Sequence, residues 1–302
     1  MATSWKLSAL APKKIVQAAL LAQDEIDDWD FNLVISGREI SEDRPLEWVL
    51  EGWYPTKPAA EQKRALADLF AGKAPDITIE QLPDEDWVTL SQQGTPPISA
   101  GKFYIHTPDY PPQDGAINFA IPASQAFGTG QHETTAGCLE MLSAMKASGM
   151  RARRIADIGT GTGLLGFAAM ALWPAAECTA SDIDPVCAGV VEDNAALNSV
   201  TLGASGGEMT MVIAAGMDDE LLNLRGPYDL LIANILAGPL VDLAPDFASA
   251  VAPGGNVLLA GLLAGEQEAD VRRAYRLAGL RMAARIQRGD WAILWLRKRR
   301  AR

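Results

Sequence analysis

One turn constrains this chain more than anything else in it. Asp157-Ile158-Gly159-Thr160-Gly161-Thr162-Gly163 sets three glycines at every second position behind Arg154-Ile155-Ala156-Asp157, which reads as the end of a buried strand. Leu164 to Leu172 then reads as a helix, and Glu177 to Asp182 as a second strand ending in an acid. Glycine reaches left-handed and close-approach backbone without a steric cost, so such a turn lets a ligand lie on bare backbone. Strand, glycine turn, helix and strand together make a βαβ unit. Asp182 stands where a carboxylate accepts hydrogen bonds from both hydroxyls of a ribose. A nucleoside-containing cofactor is the leading reading.

Two cofactor classes compete for the unit. Gly161-Thr162-Gly163-Leu164-Leu165-Gly166 satisfies G-x-G-x-x-G with an acid about 20 residues on, as in dinucleotide-binding folds. Asp157, two residues before the first glycine, tips the balance. A carboxylate there repels a pyrophosphate at close range but accepts from an ammonium. S-adenosylmethionine has an ammonium, a sulfonium and a ribose, and no phosphate. It is the expected cofactor, with Asp157, Gly159, Gly161, Gly163 and Asp182 as expected contacts.

The net charge of -12, from 26 basic and 38 acidic side chains, disfavours nonspecific nucleic-acid binding and favours a basic partner. Arg297-Lys298-Arg299-Arg300-Ala301-Arg302 runs against that trend, as a solvated tail or an RNA contact. The 302 residues, 48% hydrophobic and 21% charged, suffice for one large domain or two ordinary ones. Cys138, Cys178 and Cys187 lack metal-like spacing and an obvious pairing, which fits a reducing compartment. With His106 and His132 as the only histidines, no metal site is expected. No signal peptide and no apolar run near 18 residues is evident, so a soluble cytoplasmic protein without a membrane partner is expected.

Along the chain, residues 1–83 have their own rhythm. Thr3 to Ser8 reads as a strand, Pro12 to Gln23 as a helix, Trp29 to Gly37 and Leu46 to Tyr54 as strands, Lys57 to Ala71 as a helix, and Ile77 to Leu82 as a strand. The order β-α-β-β-α-β is that of a ferredoxin-like α+β domain. Residues 84–125 carry many prolines and read as a linker with a short strand, Lys102 to His106. From residue 126 to 302, strands at 154–157, 177–182, 209–213, 228–233 and 255–260 alternate with helices at 135–148, 164–172, 185–198 and 265–279. That alternation predicts an α/β, Rossmann-like sheet, mostly parallel, with helices on both faces. Arg281 to Gln287 and Trp291 to Arg297, joined by Arg288-Gly289-Asp290, read as an antiparallel C-terminal hairpin. Class I methyltransferases end this way; Rossmann dehydrogenases have no need of it.

Ligands of such sheets bind outside the carboxyl ends of the strands. Asn234 follows the apolar strand Tyr228 to Ala233, and an amide there must find partners. Its oxygen is suited to accept from an incoming amine and aim the nitrogen lone pair at a methyl group; the plainer reading is a cap of the next turn. Ala126 to Thr135 packs glycines, hydroxyls and an aromatic before a helix, as a loop reaching over a ligand or as a plain N-cap. His132 beside that helix start reads as structural rather than as a general base.

Phe127 to Thr135, Asp157 to Gly163, Asp182-Ile183-Asp184-Pro185 and Asn234-Ile235-Leu236-Ala237-Gly238-Pro239-Leu240 together resemble the PrmA family, whose members methylate the eleventh protein of the large ribosomal subunit. The last run discriminates best, because generic methyltransferases usually carry an Asn/Asp-Pro-Pro-aromatic motif there. Thr160 stands where many relatives have cysteine, and Gln131 and Glu133 vary a loop often written with Thr and Pro. The resemblance implies cofactor contacts at Thr135, Gly159, Asp182 and Asn234, a substrate-holding N-terminal domain, and N-methylation of lysine side chains and the N-terminal amine of a basic ribosomal protein, free or assembled. RNA contact is compatible with this but not required. An RNA methyltransferase of the same fold, and a non-catalytic ribosome-assembly factor, are the alternatives.

Overall fold

The computed structural model describes residues 5–23, 26, 29–30, 32–40, 44, 46–72, 74–81, 97–122 and 131–299. The chain divides into two compact units, residues 1–90 and 91–302.

The first unit runs β1 (Trp5–Pro12), α1 (Lys13–Gln23), β2 (Val34–Glu39), β3 (Glu47–Tyr54), α2 (Ala60–Asp68) and β4 (Ile77–Gln81). Its sheet has the order β2-β3-β1-β4 with every neighbour antiparallel, the ferredoxin-like arrangement. Period-two alternation in β1 turns Leu7 and Ala9 into a core shared with Val16, Ala19, Leu50 and Leu66. Several boundaries differ from the expected ones: β1 runs on from Ser8 to Pro12, and α2 spans 60–68 rather than 57–71. Pro12 is the last strand residue, paired with Glu47, rather than the first of the helix. β2 starts at Val34 rather than Trp29, because the Trp29 indole donates to Leu33 O at 3.0 Å and Leu33 N donates to Asp30 O at 2.8 Å, closing a turn first.

The second unit opens with three short strands, β5 (Ile98–Ala100), β6 (Phe103–His106) and β7 (Ile117–Ala120), in one sheet. They are followed by α3 (Gln131–Ala147), β8 (Arg154–Ile158), α4 (Leu164–Leu172), β9 (Glu177–Asp182), α5 (Val186–Leu197), β10 (Met209–Ile213), α6 (Glu220–Arg225) and β11 (Tyr228–Asn234). The chain then continues through α7 (Ala237–Asp242), α8 (Ala244–Ala250), β12 (Val251–Leu263), α9 (Glu266–Leu277), β13 (Leu280–Arg288) and β14 (Trp291–Lys298). The central sheet has the order β10-β9-β8-β11-β12-β14-β13. It is parallel from β10 to β12, and β14 runs antiparallel to both its neighbours.

Both faces are covered. Ile155, Leu230, Ile232 and Leu258 meet α3, α4 and α5 on one side; Ala156, Leu231, Val257 and Leu294 meet α6 to α9 on the other. Burial on two faces is why the strands read as continuous apolar runs. Each fully buried Leu or Ile stabilises by roughly 1.5–3 kcal/mol before entropy is counted.

Residues 97–122, read from sequence as linker with one strand, hold three strands whose Phe103, Ile105 and Phe119, with Ile121 just after β7, join the core of the second unit. The Phe119 and Phe167 rings lie 6.3 Å apart. Pro108, Pro111 and Pro112 fall between β6 and β7, where they interrupt no ladder. The end of β7 is fastened by one side chain: Ala120 N donates to Asn198 Oδ1 at 2.7 Å, and Asn198 Nδ2 donates to Ala120 O at 2.8 Å. Among the described residues no helix is long and apolar enough to cross a membrane. Asn198→Ala leaves both Ala120 backbone groups without that partner and should destabilise the second unit by about 1–3 kcal/mol in denaturant melts; an unchanged midpoint would mean that β7 is held by apolar packing alone.

Candidate functional site

Strand order reverses between β8 and β11, since β8 leads out through β9 and β10 while β11 leads out through β12. Loops leaving two such strands diverge and open a crevice at their carboxyl ends. A pocket of about 670 Å³ lies there. Its wall is built by Ile158, Gly159 and Gly161 after β8, Asp182, Ile183 and Asp184 after β9, Ala214 to Gly216 after β10, and Asn234, Ile235 and Leu236 after β11. Val186, Cys187 and Val190 of α5, with Pro239, Asp242 and Leu243, complete it.

The glycine turn is a fixed object. Gly159, Gly161 and Gly163 have φ of 68°, 55° and 83°, the left-handed region where a side chain is strained. Thr160 N donates to Ser181 O at 2.9 Å, and buried Asn194 donates through Nδ2 to Thr162 O at 2.9 Å. Underneath lies Asp157, 1% exposed. Its Oδ2 accepts from Thr160 Oγ1 at 2.6 Å and from Gly166 N at 2.9 Å. Gly166 allows this approach, because a Cβ there would stand 3.1 Å from the same oxygen and 2.5 Å from Met209 Cε. Burial pushes the Asp157 carboxyl from the usual 3.8 up to about 6; the Thr160 and Gly166 hydrogen bonds pull it down, and the charge of Asp182 adds to the rise.

Asp157 is therefore not on the pocket wall. The sequence suggested a carboxylate facing an ammonium; the structure puts it beneath the loop, with Oδ2 engaged by the loop and by the first turn of α4. Gly163 is also off the wall, as the N-cap of α4 packed against the Phe167 ring. Thr135, 6% exposed near the start of α3, is not part of the described wall either. Of the stretch read as a loop or cap, Ala126 to Thr135, residues 126–130 and the His132 side chain lie outside the described residues, and 131–135 belong to α3.

Gly159, Gly161, Asp182 and Asn234 do come together. Asp182 Oδ2 accepts from Gly161 N at 2.9 Å and Oδ1 from Asp184 N at 3.1 Å. One backbone donor fixes each oxygen, and the Cys187 thiol also hydrogen-bonds this carboxylate. Asn234, in register with Ala260, ends β11 at the pocket, and among the described residues its amide makes no side-chain hydrogen bond. Cys187 is no nucleophile: burial first, then the charge of Asp182, pushes its thiol up to about 11.

Sequence reasoning missed the apolar rim. Ile183, Val186 and Leu236 are 71%, 58% and 63% exposed at the edge of a polar floor. Such a rim suits a flat ring. The signal was an isoleucine directly after Asp182. Asp182, Asp184 and Asp242 line the pocket, and no Lys, Arg or His does among the described residues. The donor set fits a cationic nucleoside and not a pyrophosphate.

The sequence profile of the family described as "Ribosomal protein L11 methyltransferase (PrmA)" matches residues 26–299. Ribosomal protein L11 methyltransferase of Agrobacterium fabrum is 38% identical over 276 residues, covering 88% of this chain and 90% of the relative. That of Sinorhizobium fredii is 38% identical over 285 residues, covering 93% and 95%. The crystal structure of ribosomal protein L11 methylase from Lactobacillus delbrueckii subsp. bulgaricus superposes with a TM-score of 0.56 at 28% identity, covering 67% of this chain and 98% of that one.

The Asp157 environment generates a pH prediction. Its carboxyl is higher in the folded chain, about 6, than the ordinary 3.8, so the folded state holds this proton more tightly. The resulting stabilisation is fully present below about 3.8 and is lost as pH rises through about 6. Relative to Asp157→Asn, the natural protein should gain roughly 2 kcal/mol between pH 7 and pH 4. Denaturant melts of both proteins at several pH values read this difference, in which other carboxylates cancel. A difference that stays flat, or grows in the other direction, contradicts the burial.

Proposed function

The chain belongs to the ribosomal protein L11 methyltransferase (PrmA) family, and from that premise we propose that it methylates amino groups of ribosomal protein L11, using S-adenosylmethionine. The observation that carries the cofactor is the pocket wall: a carboxylate fixed by two backbone donors, positive-φ glycine backbone beside it, an apolar rim, three acids and no cation among the described lining residues. Asp182 would take the ribose hydroxyls, Ile183 and Val186 the adenine ring, and Gly159 and Gly161 the amino-acid end. Asp157 and Gly163 would act indirectly, by shaping the loop. Thr135 is kept as a contact on the resemblance alone.

S-adenosylmethionine, when bound, supplies an electrophilic methyl group on a sulfonium, and the acceptor nitrogen attacks it in line. The chain's task is alignment and exclusion of water. A lysine amine, with a reference pKa near 10.4, must first lose a proton. Desolvation beside a positive charge lowers that pKa, and the proton leaves to water. Among the described lining residues there is no histidine, and the one thiol stays protonated, so the reading assigns the proton to water rather than to a histidine or thiolate base. Asn234 would accept from an amine hydrogen and aim the lone pair. Lysine side chains and the N-terminal amine are the proposed acceptors.

The first unit is the proposed substrate holder on the resemblance; every described lining residue of the pocket belongs to the second. A basic ribosomal protein suits a chain of net charge -12, in the cytoplasm where ribosomes are built. RNA contact through the basic C-terminus is not required.

Incubation with methyl-labelled S-adenosylmethionine, L11 and large-subunit ribosomal RNA in one tube tests the reading. Label should enter L11 alone; label in the RNA would favour an RNA methyltransferase, and no label a non-catalytic factor. Asp182→Ala should weaken cofactor affinity at least about tenfold by calorimetry, since each charge-assisted bond is worth roughly 1.5–3 kcal/mol. Unchanged affinity in the folded variant would put the ribose elsewhere.

A further inference from the structure

Gly159 and Asn234 lie on different strand ends, after β8 and at the end of β11, yet methyl transfer needs cofactor loop and acceptor amide at a fixed separation. One residue bridges them. Ile235, directly after Asn234, lies across Gly159 so closely that a Cβ at Gly159 would fall 2.2 Å from Ile235 Cγ2. On its other side the Ile235 backbone rests on Gly261 of β12. A Cβ at Gly261 would fall 2.2 Å from Ile235 O, 2.7 Å from its carbonyl carbon and 3.0 Å from its nitrogen.

Both glycines have positive φ, 68° and 87°. Gly261 follows Ala260, the register partner of Asn234, and sits where the pairing of β12 with β14 shifts between Leu259 and Leu262. A bulge there re-aims the backbone at the point where β11 leaves the sheet. Three adjacent strand ends are thus joined through one residue that fills the space of two missing side chains. Isoleucine suits the role, because branching at Cβ stiffens χ1 and keeps Cγ2 over Gly159.

The geometry points to Ile235 as a positioning residue for methyl transfer: seated between Gly159 and Gly261, it holds Asn234 at a set distance from the glycine loop. The inference rests on the reading of this pocket as the methyl-transfer site. It predicts a split between binding and turnover that a merely structural apolar residue would not give. Ile235→Ala frees Asn234 while leaving the Asp182 contacts in place. Ile235→Val keeps the branched methyl over Gly159.

The test compares Ile235→Val, Ile235→Ala, Gly159→Ala and Gly261→Ala, with Ile235→Ala added to each glycine variant. S-adenosylmethionine affinity is read by calorimetry, single-turnover methylation of L11 at saturating cofactor, and thermal midpoint without cofactor. Ile235→Ala should keep affinity within about threefold and lose about tenfold or more in single-turnover rate, while Ile235→Val stays within about threefold in both. Adding Ile235→Ala should recover part of the thermal midpoint lost in Gly159→Ala, because that clash is with a side chain and the φ strain is the same in both backgrounds. It should recover none of the loss in Gly261→Ala, which meets backbone. Ile235→Ala turning over like Ile235→Val, or a Gly159→Ala loss identical in both backgrounds, would overturn the inference. Because the midpoint coupling needs no cofactor, a natural protein that fails to bind S-adenosylmethionine would sink the pocket reading and leave the clamp separately measurable. If a glycine variant does not fold, the Ile235→Ala and Ile235→Val pair still decides.

Discussion

The second unit turns on a carboxylate in a dry place. Asp157 sits at the end of β8 under the glycine turn, 1% exposed. Taking such a group out of water costs several kcal/mol unless donors replace the solvent. The donors it finds, Thr160 Oγ1 and Gly166 N, belong to the loop above it and the helix after it. One anion therefore ties strand, loop and helix together. The loop in turn presents Gly161 N to Asp182, which fixes the acid that faces the pocket. A chain that lost the buried acid would keep its glycines but not the reason for their arrangement.

Charge carries the same logic to the surface of the pocket. Asp182, Asp184 and Asp242 line it without a cation among the described residues, so it favours a positively charged ligand and rejects a phosphate chain. In the proposed reading, affinity for the cofactor lies with Asp182 and the apolar rim, and alignment of the acceptor lies with Asn234 and whatever keeps it still.

Much of this was legible in the sequence because the signals were local. Helix Leu164–Leu172 and strands Glu177–Asp182 and Met209–Ile213 have the bounds expected of them, since a glycine turn, a buried apolar run and a strand-terminal acid each leave a mark within a few residues. The C-terminal hairpin appears at 280–288 and 291–298, within a residue of its expected bounds. β5 and β7, three and four residues long, were too short for a period to show among the prolines. The place of Asp157 was not legible, because exposure depends on what packs over a residue and not on its neighbours in sequence. Nor was the seat of Ile235, which depends on two glycines about 75 and 25 residues away in the chain. Gly261, set by itself within the apolar run Val257 to Leu263, is its trace in the sequence, since such a glycine marks a bulge or a close backbone approach.

The central claim is that the cofactor loop is already formed around the buried carboxylate before any cofactor arrives. Amide hydrogen exchange of the cofactor-free protein tests it most directly. Gly166 N–H, donated to Asp157, should exchange only by large-scale opening, among the slowest amides of the second unit, and Gly161 N–H, donated to Asp182, should be protected although it lies in a turn. Adding S-adenosylmethionine should slow Gly161 further and leave Gly166 nearly unchanged. Free exchange at both positions without cofactor, with protection appearing only on binding, would mean that the ligand builds the loop and that Asp157 does not hold it.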